Sequence, residues 1–158
     1  MTVLVRMSEG AYAGYVRHAI PDYARDKVAS GQWVEADALA LARADHAELL
    51  PLGLATPDNY LYEIRRAADA PTIGMLWFAV QERAGHKVAY VYDVFVEAPH
   101  RQQGHASRTF AALEGIASSL GLAGVALHVF GHNRPAHDLY VRLGYRATNI
   151  SMFKALGR

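Results

Sequence analysis

In the stretch VYDVFVEAPHRQQGHASRTFAALEGIA, residues 91–117, a strand hands over to a helix through a short loop that carries Arg101 and Gly104. On the strand side, Val88–Val96 is a run of β-branched and aromatic residues in which Val88, Tyr90, Tyr92, Val94 and Val96 share one parity. Asp93 falls on the other parity with Ala89, Val91 and Phe95, so strict alternation predicts one acid within an otherwise apolar face. On the helix side, Ala106, Phe110, Leu113, Ala117 and Leu120 recur at the spacing of a helix packed on a sheet, and Gly121 can end it. The first amides of such a helix lack intrahelical acceptors and lie at the positive end of its dipole. The passage therefore reads either as an anion-receiving helix start, where Gly104 permits close backbone approach, or as an ordinary turn with a helix cap. Neither GxxxxGK[ST] nor GxGxxG occurs in it, which removes the P-loop reading and weakens dinucleotide binding.

Working outward, Tyr60–Arg65, Thr72–Val80 and Val88–Val96 are separated by the turn-prone ADAP and ERAGH segments, a pattern that predicts an antiparallel meander. Ahead of it, Val3–Val5 reads as a short strand, and 11–29 and 36–49 as helical. Pro21 lacks an amide donor, so 11–29 is expected to be divided there and not to form one rod. Leu39, Ala42, Ala47, Leu49 and Leu50 give the second helical segment its apolar stripe, with Pro51 and Gly53 as its stop. The 49–57 stretch, LLPLGLATP, either caps an opening or fixes helix-to-sheet packing. Beyond residue 117, 124–130 reads as a strand, Ala136–Leu143 as a helix with Pro135 in its first turn, and 147–154 as holding a final strand. The order β–αα–βββ–α–β–α–β predicts a single mixed α/β domain over residues 1–158.

With 158 residues, 52% of them apolar, the chain has enough for one ordinary core and is not a disordered polymer. Sixteen Lys and Arg against 15 Asp and Glu leave a net charge of +1, too little to imply nucleic acid or an anionic membrane as a partner. Residues 97–158 nevertheless hold seven of the basic residues and three acids, Glu97, Glu114 and Asp138, a local field suited to an anion. There is no cysteine, so thiol catalysis, disulfides and cysteine-zinc sites are excluded. The eight histidines include His128, His132 and His137, but their spacing along a strand and loop is not that of a helical metal pair and HExxH is absent, so no metal is expected. The apolar segment LGLAGVALHVF, 120–130, is too short to span a membrane, and MTVLVRMSEG lacks a signal-peptide pattern, so the expected location is cytoplasmic.

RQQGHA at 101–106 resembles the Q/R-x-x-G-x-G/A signature of the GCN5-related N-acetyltransferase (GNAT) superfamily, and NRPAHDLYVRLGY at 133–145 resembles its later Asn-x-x-Ala…Leu-Tyr…Gly-Tyr passage at the expected distance. The resemblance implies a central, mostly antiparallel, splayed sheet flanked by helices, with a cleft between the strands at 88–96 and 124–130. It implies acetyl-CoA as co-substrate, its pantetheine arm aligned by backbone near Phe95 and Val96. Arg101, Gln102, Gln103, Gly104, His105 and Ala106 would surround its pyrophosphate. His105 stands where the family often has Gly or an aliphatic residue, and is either a cofactor contact or a packed or solvent-facing helix residue. Asn133 is either a contact to the pantetheine region or a turn cap.

The same resemblance places the Tyr140 hydroxyl near the cofactor sulfur as general acid for the departing thiolate, with ring burial as its alternative role. Asp93 is the candidate base or proton relay, and also a candidate for binding a cationic substrate or for structure. His128, in an apolar strand, reads chiefly as a structural histidine. Tyr23, Trp33, Tyr60, Tyr62, Trp77 and Asp93 are candidate acceptor contacts, although burial is the more general use of aromatics. The implied activity is acetyl transfer from CoA to a primary amine, of a small molecule in preference, by direct attack without an acyl-enzyme. Protein or peptide N-acetylation and a non-catalytic acyl-CoA-binding domain are the alternatives, and a homodimer is a possible assembly.

Overall fold

The computed structural model describes residues 1–157. Its elements are β1 (Val3–Arg6), α1 (Glu9–Ala29), α2 (Glu35–Leu49), β2 (Asn59–Arg65), β3 (Thr72–Arg83), β4 (His86–Val96), α3 (His105–Ser119), β5 (Gly124–Leu127) and α4 (Arg134–Arg142). The five strands form one sheet in chain order, β1 to β4 antiparallel and β5 parallel to β4. Parallel neighbours need a crossover, which α3 supplies. Ala84 and Gly85 form the two-residue turn between β3 and β4, both with positive φ, as a hairpin of that length requires.

Each face of the sheet carries its own core. On one, Leu76, Phe78, Ala89 and Val91 meet Phe110, Leu113 and Ala117 of α3, with Tyr140 and Leu143 of the α4 region packed against them. Each such large apolar side chain contributes roughly 1.5–3 kcal/mol through burial. On the other, Tyr15 of α1 joins Met7, Leu50, Leu61, Met75 and Trp77. The 49–57 stretch thus serves helix-to-sheet packing through Leu50, while Leu49 reaches a cavity described below.

Four expectations are corrected. The first is α1, which runs unbroken for 21 residues through Pro21. The missing amide would have bonded the carbonyl of Arg17, a residue on the exposed side where water can take that place. Next, α2 buries Ala38 and Ala42 against Ala24 of α1, whereas Leu39 and Leu49 of the expected stripe stay exposed, because two helices in close approach use small side chains. The third strand of difference lies at β5, which ends at Leu127 and not at 130, since its pairing with β4 stops at Val91. Finally, 147–154 forms no strand: it pairs with nothing in the sheet, and Ile150, Met152 and Phe153 are exposed.

Candidate active site

β4 determines the geometry of the site. Phe78 of β3 faces Val91 while Trp77 faces Asp93, so Tyr92 is an extra residue, a bulge. Residues directly opposite share a face. Val91 therefore lies with Phe78 on the α3 side, but Asp93 lies with Trp77 on the α1 side, as does Phe95 opposite Met75. Alternation alone had grouped Asp93 with Ala89 and Val91. The bulge carries the acid to the other face.

Past Val91, β4 continues to Val96 paired only with β3, while β5 has already ended. The two parallel strands therefore part at the residue before the bulge. A cavity of about 890 Å3 lies against this opening, bounded by α1, by α2 and by the 128–133 segment. Asp93 sits in it, accepting a hydrogen bond from the Tyr15 hydroxyl at 2.7 Å. Burial pushes the Asp93 carboxyl up to about 6, against the opposing effect of the Tyr15 bond and aided by the charges of Asp22 and Asp26. Tyr15 itself is raised far above its ordinary value by burial and by Asp93, so it remains a donor. His46 lies between Tyr15 and Trp77, with ring centroids 6.5 and 5.5 Å away, and burial lowers its pKa. Its Nε2 is buried without a hydrogen-bond partner among the described residues.

At the other end of the opening, the chain leaves β4 through a short 3-10 turn, Ala98–His100, and enters α3 at Gly104. Gly104 has φ 83° and Gln102 φ 61°, so the loop makes two left-handed residues in three. Among the described residues no side chain caps α3, which leaves its first-turn amides without an acceptor from the helix. Guanidinium groups surround the loop. Arg101 Nε donates to the Val96 carbonyl at 2.7 Å, Arg66 to Gln103 Oε1 at 2.7 Å, and Arg108 to the Gln103 carbonyl at 2.8 Å. His105 is buried, its Nδ1 2.8 Å from Thr2 Oγ1. Burial, then the charges of Arg108 and Arg66, lower its pKa and keep the ring neutral. Its side chain thus ties the amino terminus to the start of α3, and only its backbone lies along the loop.

Of the residues singled out from sequence, Tyr23, Trp77, Asp93, Phe95, Arg101 and Asn133 line the cavity together. Tyr23 donates to Asp45 at 3.4 Å, and Trp77 Nε1 to Asn59 at 2.8 Å. The Asn133 side chain accepts from the Ala136 amide, so it caps α4 from the cavity rim. Trp33 packs edge-on to Tyr23 in the α1–α2 corner, outside the cavity. Tyr60 and Tyr62 stack near Phe78 on the α3 side of the sheet, away from it. Tyr140 is also on the α3 side, edge-on to Phe110 at 5.4 Å, and its hydroxyl makes no hydrogen bond to the described residues. Burial, then the Asp93 charge, push its pKa up to about 12, so it holds its proton at neutral pH.

The fold matches known proteins over the whole chain. Residues 2–145 match the model of the Acetyltransferase (GNAT) family. The chain belongs to the GNAT family of acetyltransferases. Within the family it is 32% identical over 157 residues to YycN of Bacillus subtilis (strain 168), named an uncharacterized N-acetyltransferase, covering 99% of this chain and 100% of that one. The crystal structure of YycN superposes with a TM-score of 0.94 over the full length of both chains. YdgE of the same organism, also named an uncharacterized N-acetyltransferase, is 29% identical over 150 residues, 95% of each chain. AAC(6')-Iy, solved with the bisubstrate analogue CoA-S-monomethyl-acetylneamine, shares the fold at a TM-score of 0.63 and 18% identity, covering 100% of this chain and 99% of that one. This GNAT chain is accordingly an N-acetyltransferase. Among its described residues no group of His, Asp or Glu is placed to hold a metal ion, and no helix is long and apolar enough to cross a membrane.

Several residues of this GNAT cavity escaped sequence reading: Tyr15, His18, Asp22 and Asp26, all on α1. Their signal was present, since 15, 18, 22 and 26 recur at three and four residues and share a helix face. Dividing the segment at Pro21 hid it.

Proposed function

We propose that this chain transfers the acetyl group of acetyl-CoA to a primary amine of a small cationic molecule, with Asp93 as base and Tyr140 as acid. The observation that carries the reading is the Asp93–Tyr15 pair at the parting of β4 and β5, a carboxyl that burial raises to about 6 at the edge of the cavity.

The residues present fit the cofactor. Uncapped amides at the start of α3, a left-handed Gly104 and the Arg66, Arg101 and Arg108 guanidiniums form a cradle for a pyrophosphate. Backbone of β4 from Phe95 to Val96, freed from β5, is available to an extended amide-bearing arm. Asn133, on the far rim, is placed to face the same arm. Bound there, acetyl-CoA supplies the activated thioester carbonyl.

The protein's own groups manage protons. An amine enters as an ammonium, drawn to Asp93 and to Asp26 of α1 and Asp45 of α2, while Asp22 is paired with Arg25 on the same wall. Asp93 Oδ1 takes its proton directly or through one water, while Oδ2 stays bonded to Tyr15, which fixes the carboxylate's orientation. Tyr23, Trp77 and Tyr92 wall the site, with Trp77 and Tyr92 stacked 4.6 Å apart. Tyr140, outside the cavity on the α3 side but close enough to Asp93 to feel its charge, holds its proton across the neutral range and is the proposed donor to the leaving sulfur. The supporting experiment is a screen of small primary amines, peptide amino termini and peptide lysines for CoA release with mass-identified acetylated product. Turnover confined to peptides, or saturable acetyl-CoA binding with no product, would overturn the small-molecule reading.

A further inference from the structure

We propose that Thr2, the residue before β1, is a positioning residue for the cofactor: its hydroxyl holds the Arg108 guanidinium over the loop that enters α3, with one nitrogen left free for a phosphate. The inference rests on the reading that acetyl-CoA binds at that loop. Thr2 Oγ1 is shared between two side chains of α3. It accepts from Arg108 Nε at 2.8 Å and lies 2.8 Å from His105 Nδ1. Arg108 Nη2 also lies 3.4 Å from that Nδ1, and a guanidinium only donates, so Nδ1 is the acceptor of the neutral ring. The Thr2 proton therefore goes to His105. One hydroxyl thus serves as acceptor for Arg108 and donor to His105.

This anchor decides where the guanidinium lies. Arg108 Nη2 donates to the Gln103 carbonyl at 2.8 Å. Nη1 is then carried across Gly104, 2.7 Å from where a Cβ on that residue would stand, and makes no hydrogen bond to the described residues. Glycine at 104 thus leaves room for a guanidinium as well as adopting φ 83°. The loop also needs holding. Gln102 has φ 61°, a conformation that a side chain disfavours and that persists where neighbours enforce it. Gln103, between the two left-handed residues, is gripped from both sides, its side chain by Arg66 at 2.7 Å and its carbonyl by Arg108. With Nη1 unpaired beside the uncapped amides of α3, Arg108 offers a charge-assisted hydrogen bond to an anion that those amides receive. Valine at position 2 would match threonine in shape but neither accept nor donate, so Arg108 Nε and His105 Nδ1 would lose a partner and the guanidinium its tether. Serine would keep the hydroxyl.

The test is calorimetric binding of CoA to the full chain, without acceptor or turnover, for the wild type, Thr2→Val, Thr2→Ser, Arg108→Gln and the double variant Thr2→Val with Arg108→Gln. Thr2→Val is expected to raise Kd about tenfold, the scale of one lost charge-assisted hydrogen bond, and Thr2→Ser to stay within about twofold of the wild type. Arg108→Gln, at an exposed position, should give a loss at least as large without any change at residue 2. Because Thr2 acts through Arg108, the double variant should bind no more weakly than Arg108→Gln alone. In turnover, Thr2→Val should raise KM for acetyl-CoA and leave kcat and the KM for the amine as they are. Circular dichroism and thermal unfolding check that the fold is retained. A wild-type Kd in Thr2→Val, a loss in Thr2→Ser as large as in Thr2→Val, or losses that add in the double variant would each overturn the positioning role and leave the cofactor reading standing. A wild-type chain that does not bind CoA would overturn both.

Discussion

Replacing Asp93 by Asn separates stability from activity in opposite directions. The carboxyl is raised from 3.8 to about 6, chiefly because burial penalises its charged form. A shift of two units corresponds to about 3 kcal/mol by which the folded state disfavours the ionised group. Between pH 4 and 6 the native protein holds a proton that the unfolded chain has released, so stability falls as pH rises through that window and the full cost is present above pH 6. Asparagine carries no charge and keeps an oxygen to accept the Tyr15 hydrogen bond of 2.7 Å. Asp93→Asn should therefore raise the unfolding free energy at pH 7.5 by up to about 3 kcal/mol. In a domain of this size that is an increase of about 6–12 °C in Tm. The gain should shrink as pH is lowered through 6 and vanish below 4. The same variant removes the proposed base, so CoA release with a good amine acceptor should fall by about 10²–10⁴-fold. Thermal unfolding at several pH values and a thiol-detecting assay measure both. A variant that is less stable at pH 7.5, whose Tm difference does not depend on pH, or that keeps wild-type turnover would refute the reasoning.

Tyr15→Phe removes a bond that favours the ionised carboxylate, so the acid limb of the kcat/KM profile should move above pH 6, with a stability loss of about 1.5–3 kcal/mol by urea denaturation. Tyr140→Phe keeps the ring against Phe110 and should leave acetyl-CoA affinity by calorimetry unchanged while kcat drops by about 10²-fold. Gly104→Val places a branched side chain where φ is 83° and where even a Cβ would come within 2.7 Å of Arg108, so acetyl-CoA binding should weaken by at least tenfold, read by the same calorimetry. Gly74→Ala drives a methyl group to 2.2 Å from the Phe95 carbonyl, between paired backbones that cannot retreat, and should cost about 1–3 kcal/mol of stability by denaturant unfolding.

What was legible in the sequence was what is local. The 91–117 passage carries its strand period, its loop glycine and its helix period within itself, and the structure places β4, the turn and α3 where that pattern put them. The α1 wall was not legible because a proline interior to a helix costs energy that nearby sequence does not repay. Here the compensation is tertiary, through Tyr15 on the sheet and Ala24 on α2. The tail failed for the same kind of reason. Ala147–Lys154 has the composition of a strand, but a strand exists only against a partner, and none of the described residues pairs with it. Trp33, Tyr60 and Tyr62 show the limit for aromatics, whose residue type does not tell which face of a sheet or corner of a helix pair will bury them.

The bulge at Tyr92 joins the fold to the chemistry. A bulge adds a residue to one strand only, bending it and increasing its twist. In β4 the extra residue follows immediately on Val91, the last position paired with β5, so the bend and the loss of the parallel neighbour coincide. The same extra residue reverses parity, which is why Val91 can complete the α3 core while Asp93, two residues on, faces Tyr15 and the cavity. A β4 without it would turn Asp93 away from Tyr15 and toward Leu113 and Phe110 in the α3 core, and would remove the bend that accompanies the parting from β5. The opening between β4 and β5 and the orientation of the acid proposed to act there thus share one local cause, a single inserted residue in the strand.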